Sequence, residues 1–274
     1  MSININLAQH RQRAAFNLIG LIVVIVVNAL ANILPINGKN TGELSNLYPN
    51  YFTPAGITFS IWSVIYFSLL LFAIYQLWLA FSRGHIEELH SFMTRMKGWF
   101  LLNCIGNTCW IFAWHYEQVP LSLGIMLVIL ISLIVIHERF RMFLPGVGRR
   151  ERAFVHIPFS LYLGWIAVAT IANTAALLVD IGWDGGGVSP VTWTCIMIGI
   201  ATLLTILMLF LRNNFPYALV SLWAFTGINL KRAAAEGVEN ENIIIVCSAC
   251  MVIIVICVVI QLFRSRKTVI GTRV

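Results

Sequence analysis

Apolar residues fall in long runs separated by short polar stretches. Eight runs stand out, at 14–34, 55–81, 99–116, 119–137, 154–179, 190–211, 216–235 and 243–263. A run of roughly 18 or more apolar residues reads as a membrane-spanning helix. The ~10-residue alternation of a transmembrane barrel is absent. Within lipid each backbone N–H and C=O must pair inside its own segment, and a helix does this. The pattern therefore predicts an all-α integral membrane protein of about eight transmembrane helices. The seventh run is the most polar, with Lys231 and Arg232 near its end. Their long side chains can extend to the interface.

Composition agrees with that reading. The 274 residues are 59% hydrophobic and 11% charged, against about 25% charged in a soluble domain. The formal charge of +7 sits in short loops, so it serves membrane orientation and nucleic acid is excluded as a partner. With eight spans, fifteen of the eighteen Lys and Arg residues fall on one side. They comprise Arg11 and Arg13, the loop after span two, the loop after span four, Arg212 and the tail from Arg264. Lys39, Lys231 and Arg232 remain on the other side. The positive-inside rule then places both termini in the cytoplasm. The first run is longer than the ~7–15 residues of a signal-peptide core, so it is read as a span.

The loops add little chemistry. Residues 35–54, rich in Asn, Gly and Pro, are expected to be a turn-laden loop rather than a helix. It ends in Tyr48, Tyr51 and Phe52, suited to the interface or to a pocket mouth. His85 and His90 are expected to be solvated in a charged loop. Gly185 to Gly187 lack the strand–helix setting of a phosphate loop. The carboxylates lie outside the spans, so no intramembrane proton relay is expected. No catalytic set is apparent, and the chain is not expected to be an enzyme. All six cysteines lie in apolar runs. Cys247 and Cys250 have CxxC spacing, but without a nearby histidine they read as small hydrophobes, with no metal site.

The spans do hold aromatic and amide side chains at helical spacing. Trp62 and Tyr66 are four apart, as are Asn103 and Asn107, and Trp110 and Trp114. Tyr162 and Trp165 are three apart, with Asn173 two further turns along. Each pair shares a helix face. Trp78, Trp99 and Trp183 lie near span ends, where belt tryptophans gather. For the deeper residues two readings stand side by side. One is helix packing with interhelical amide hydrogen bonds. The other is an aromatic pocket with a few polar groups that orient a flat ligand.

Three blocks carry a family resemblance. Residues 52–66, FTPAGITFSIWSVIY, resemble the second-helix signature of the TspO/MBR family, the tryptophan-rich sensory or translocator proteins. Asn107-x-x-Trp110-Ile111-Phe112 resembles its third-helix motif, and Tyr162-x-x-Trp165 followed by Asn173 its fifth. The resemblance covers about residues 15–180. Thr53-Pro54 stands where the family has paired prolines, and three further spans follow, as in longer bacterial relatives.

The resemblance implies a five-helix TspO-like bundle over 1–180, with three additional helices and a basic tail over 181–274. It implies binding of porphyrins, and in some members sterols or synthetic aromatic drugs, in a pocket under the first loop. By that carry-over Trp62, Asn107 and Trp165 are the foremost ligand contacts, joined by Tyr66, Trp110, Tyr162 and Asn173 from the same motifs. The expected function is a membrane sensor or translocator for a flat hydrophobic molecule. The alternative is a permease for a small amphipathic solute, for which broken helices near the midplane would speak. No resident cofactor is expected, a porphyrin or haem entering as ligand. The expected partners are the lipid bilayer and the hydrophobic ligand, with a homodimer left open. The expected location is a bacterial inner membrane.

Overall fold

The computed structural model describes residues 6–34 and 36–271, with side chains to Ser265. The helices are α1 (Leu7–Ile33), α2 (Thr41–Asn46), α3 (Ile61–Phe81), α4 (Ile86–Met96), α5 (Trp99–His115), α6 (Val119–Arg139), α7 (Arg149–Glu151), α8 (Ile157–Asp180), α9 (Pro190–Arg212), α10 (Phe215–Ala233) and α11 (Val238–Gly271). A 3₁₀ turn, Gly56–Ser60, leads into α3, and a π turn, Arg152–His156, into α8. The described residues contain no strand.

Each of the eight apolar runs is helical. Six helical stretches are long and apolar enough to cross a bilayer: Leu7–Ile33, Gly56–Phe81, Val119–Arg139, Arg149–Asp180, Pro190–Arg212 and Val238–Ser265. α5 has 17 residues, and α10 carries Lys231 and Arg232 in its last turn. On length and composition alone those two do not qualify. Apolar side chains cover the outside as well. The most hydropathic window, in α11, is only 17% buried, and Val252, Val255, Ile256 and Val259 along it are exposed. An apolar surface of that extent belongs in lipid, so the chain is an integral membrane protein.

Two loop expectations need correction. Residues 86–96 form α4, whose Leu89, Phe92, Met93 and Met96 are buried. Their i, i+3, i+4, i+7 spacing makes the amphipathic helix. His90 on α4 is half-buried, its Nδ1 lying 2.9 Å from His10 Nε2, so it is not a solvated loop residue. The turn-rich 35–54 segment also contains a helix, the short α2.

Contacts divide the chain into two compact units. The first comprises Met1–Thr41, Trp62–Met142 and Gly146–Tyr162; the second comprises Gly42–Ile61, Phe143–Pro145 and Leu163–Val274.

In the first unit, α1 buries His10, Ala14, Asn17, Leu21, Val24, Asn28 and Ala31. This alternating four-and-three spacing is a heptad stripe. Gly20 on that helix lets Leu101 and Cys104 come close, and Gly106 on α5 receives Ile129 of α6. Close approach over small residues is how helices associate without a hydrophobic force between them. Phe72 packs edge-on against Phe100 and Phe159 at 5.0 and 4.8 Å. Arg95 holds Glu151 through two bonds of 2.5 and 2.9 Å while stacking on Phe140.

In the second unit, α9 ends at Asn213, a left-handed residue with φ 53°, and Asn214 caps α10 by accepting from Tyr217 N. Proline at the start of both helices suits the first turn. Thr205 on α9 donates to Ser221 on α10 at 2.7 Å, and Asn229 on α10 to Ser248 on α11 at 3.0 Å.

Candidate functional site

α5 directs Asn103, Asn107, Trp110 and Trp114 along one buried face. Asn107 is 2% exposed. Its Oδ1 accepts from Asn28 Nδ2 of α1 at 2.9 Å, and its Nδ2 donates to the Tyr162 hydroxyl of α8 at 2.8 Å. Asn28 Nδ2 also reaches its own Val24 carbonyl at 2.9 Å. The Tyr162 ring meets Trp62 edge-on at 5.7 Å, and Trp62 stacks on Tyr66 at 5.1 Å. The buried Tyr66 hydroxyl faces the same Asn107 amide. Four of the seven residues singled out from the sequence, Trp62, Tyr66, Asn107 and Tyr162, therefore form one cluster in the first unit. Trp110 lies one turn along α5 from Asn107 and stacks on Trp114 at 5.7 Å.

Trp165 and Asn173 belong to the second unit. Both are buried, and Trp165 meets Phe59 edge-on at 5.8 Å. Trp183, read as a belt residue, is 42% exposed and tilts against Trp193 at 5.4 Å.

This geometry changes the role that Asn107 can play. Its oxygen and its N–H each have a protein partner, so it holds α1 and α8 to α5. The indole of Trp62 and the ring of Tyr66, both only partly buried, offer aromatic faces. A flat ligand would meet π surface first, with Asn107 fixing where the Tyr162 and Asn28 side chains point. Asn28 escaped the sequence reading. It is one of three amides in the apolar run 14–34, and its partner lies 79 residues away. A signal was present, because Asn17 and Asn28 are eleven residues apart, about three turns, on one face. Asn17 likewise donates to the fully buried Gln76 of α3 at 3.0 Å.

The start of the first loop is latched to the end of α5 through His115. This buried ring lies 3.0 Å from Ile36 O and 3.2 Å from Thr41 Oγ1. Asn37 donates to His115 O, Trp114 Nε1 reaches Thr41 O, and Lys39 pairs with Glu117 at 2.8 Å. Spacing does not reveal His115 in that role, since all its partners come from a distant segment.

The remainder of the loop lies in the second unit. Asn50 Oδ1 accepts from Phe52 N, Thr53 N and Thr53 Oγ1 at 3.0, 2.9 and 3.0 Å, closing the turn before Pro54. Tyr48 and Phe52 are buried. The Tyr51 hydroxyl donates to Glu239, and that bond, followed by partial burial, raises its pKa above the usual tyrosine value. Cys247 is buried with its thiol 3.5 Å from Phe225 O. No cluster of three metal-ligating side chains occurs among the described residues.

No curated protein matches the chain, and no solved structure does. The family model described as TSPO-like protein matches residues 14–260. That span takes in α9, α10 and most of α11, beyond the blocks at 52–66, 107–112 and 162–173. With the match covering most of the sequence, the chain belongs to the TSPO-like family.

Proposed function

We propose that the protein binds a flat hydrophobic molecule of the porphyrin or haem class and acts as a sensor or translocator for it. The carrying observation is the set of aromatic faces, Trp62, Tyr66 and Tyr162, organised by one buried amide, Asn107. Trp165, Trp110 and Asn173 enter the proposal through the family motifs. Both termini are proposed to face the cytoplasm of a bacterial inner membrane, from the placement of the basic loops. The ligand is a transient guest rather than a resident cofactor, and the protein is not proposed to be an enzyme.

Indole stacking contributes about 0.5–1.5 kcal/mol beyond area burial, and a loss of 1.4 kcal/mol weakens binding about tenfold. The test is tryptophan-fluorescence quenching of purified, monodisperse protein with protoporphyrin. Trp62→Ala and Trp165→Ala are each expected to weaken binding by roughly tenfold or more. Parent-like titrations from both would return these residues to helix packing. Reporter fusions after Arg150 and after Thr268 are both expected to report cytoplasm. An extracytoplasmic signal from the second would remove the crossing by α10.

A further inference from the structure

A polar cleft lies wholly within the second unit. It measures about 360 Å³ and is lined by Asn46, Pro49, Asn50, Tyr51, Lys231 and Arg232. Ligand pockets span about 300–1,000 Å³, so this one suits a small molecule or a headgroup. Lys231 and Arg232 close the last turn of α10. Cations there are favoured by the helix dipole, which explains their type but not how they are held.

Arg232 is 8% exposed. Its Nη1 donates to Asn240 Oδ1 at 3.2 Å, and its guanidinium lies 5.3 Å from the Tyr51 ring centre. Its Nε is buried without a hydrogen-bond partner. Arginine carries five N–H donors, and among the described residues Asn240 is the one side chain that accepts from this one. Lys231 is half-buried and donates to Asn46 Oδ1 at 3.0 Å. No carboxylate among the described residues forms an ion pair with either cation. Glu239, the nearby acid, accepts from the Tyr51 hydroxyl instead.

A buried charge is costly unless it is paired and hydrogen-bonded. An oxyanion would supply both the countercharge and the acceptors, and guanidinium matches carboxylate or phosphate oxygens in a planar fork. We infer that this cleft binds an oxyanion, a phosphate or carboxylate, carried on a small solute or a lipid headgroup, with Arg232 and Lys231 as its cationic contacts. The inference is independent of the porphyrin reading, because it uses none of those residues and its probes contain no aromatic ring.

The test uses full-length protein in neutral detergent, followed by thermal unfolding. Inorganic phosphate or succinate replaces chloride at constant ionic strength. A parallel arm compares phosphatidylcholine nanodiscs with and without phosphatidylglycerol. A saturable rise in unfolding temperature is expected with at least one probe. A response to a soluble anion marks a solute site, and a response to phosphatidylglycerol alone marks a headgroup site. Arg232→Met is expected to unfold in chloride close to the parent, since removing a buried charge without a counter-ion offsets the lost Asn240 hydrogen bond and Tyr51 ring contact. It should weaken the anion response by about tenfold or more. Lys231→Gln, at a less buried position, should weaken it by about threefold or more, and it decides the matter if Arg232→Met does not fold. The inference fails if no probe gives a saturable rise, or if the rise persists unchanged in the folded variants.

Discussion

The two units use the same two means of holding helices together, in different proportion. In the first, carboxamides reach between helices: Asn17 to Gln76, Asn28 to Asn107, Asn107 to Tyr162, and Asn103 to Ser132. In the second, hydroxyls mostly bond back to their own helix, as Thr194, Thr202 and Thr226 do. Close backbone approach carries much of the rest. Gly164 faces Val220 and Tyr217, and Gly227 faces Thr58. Both devices answer the same problem, because lipid tails are as apolar as leucine and give helices little reason to associate. The amide route also places polar atoms and aromatic rings in the interior. The glycine route gives a close fit with little interior chemistry.

The sharpest break in this comparison is Gly227→Ala. A Cβ there would lie 1.9 Å from Thr58 Oγ1 and 2.8 Å from Thr58 Cβ. Thr58 has little room to move. It is 1% exposed, its carbonyl accepts from Trp223 Nε1, and Ala55 N donates to Gly227 O. Overpacking of this kind costs about 1–3 kcal/mol, occasionally more. Thermal unfolding in detergent should show the largest drop among these single changes. Adding Thr58→Ala removes two of the three clashing atoms and should recover part of the loss. A parent-like melting temperature for Gly227→Ala would mean that close contact does not hold the second unit.

These contacts also show where sequence reasoning stops. The apolar runs gave the helices, because run length reflects what lipid demands of a single segment. α4 was missed although Leu89, Phe92, Met93 and Met96 have helical spacing, since three acidic or basic residues among its eleven made it look like a loop. Asn107 was singled out by residue type and motif, yet its engagement by Asn28 and Tyr162 was not visible. Those partners lie 79 and 55 residues away. Gly227 and Thr58 are 169 positions apart, and nothing in either local sequence announces the contact. Side-chain type can be read locally, whereas the satisfaction of a polar group depends on the tertiary fold.

An intermediate effect is expected from Asn107→Leu, which tests the amide route. The change removes two interhelical bonds while roughly conserving volume. Asn28 keeps its Val24 carbonyl, so one of the two separated partners remains satisfied. Interhelical hydrogen bonds in membranes average about 0.6 kcal/mol, with a maximum near 1.7. A loss of about 0.6–1.7 kcal/mol is expected, below that of Gly227→Ala. Ligand preference should change more than stability, because the Tyr162 hydroxyl loses its donor and its ring its anchor beside Trp62. Unfolding and protoporphyrin titration on the same sample measure both quantities. A stability loss above that of Gly227→Ala would reverse the ranking of the two devices.

The smallest effect is expected at Trp183, which shares residue type with Trp62 and Trp165 but not their setting. Trp183 sits after α8, 42% exposed, with its ring tilted against Trp193. Its backbone N–H bonds to Leu178 O, and alanine keeps that bond. The neighbouring turn is held separately by Trp193 Nε1 donating to Gly185 O at 2.8 Å. Trp183→Ala therefore removes one exposed ring and leaves the local backbone tied. Surface changes away from buried networks usually stay within about 0.5 kcal/mol, and ligand affinity should move by less than about twofold. Quenching titrations compare it directly with Trp62→Ala, since each variant loses a single indole. Equal weakening by the two would show that quenching reports tryptophan number rather than position, and the contrast between buried and belt tryptophans would then have no bearing on where the ligand binds.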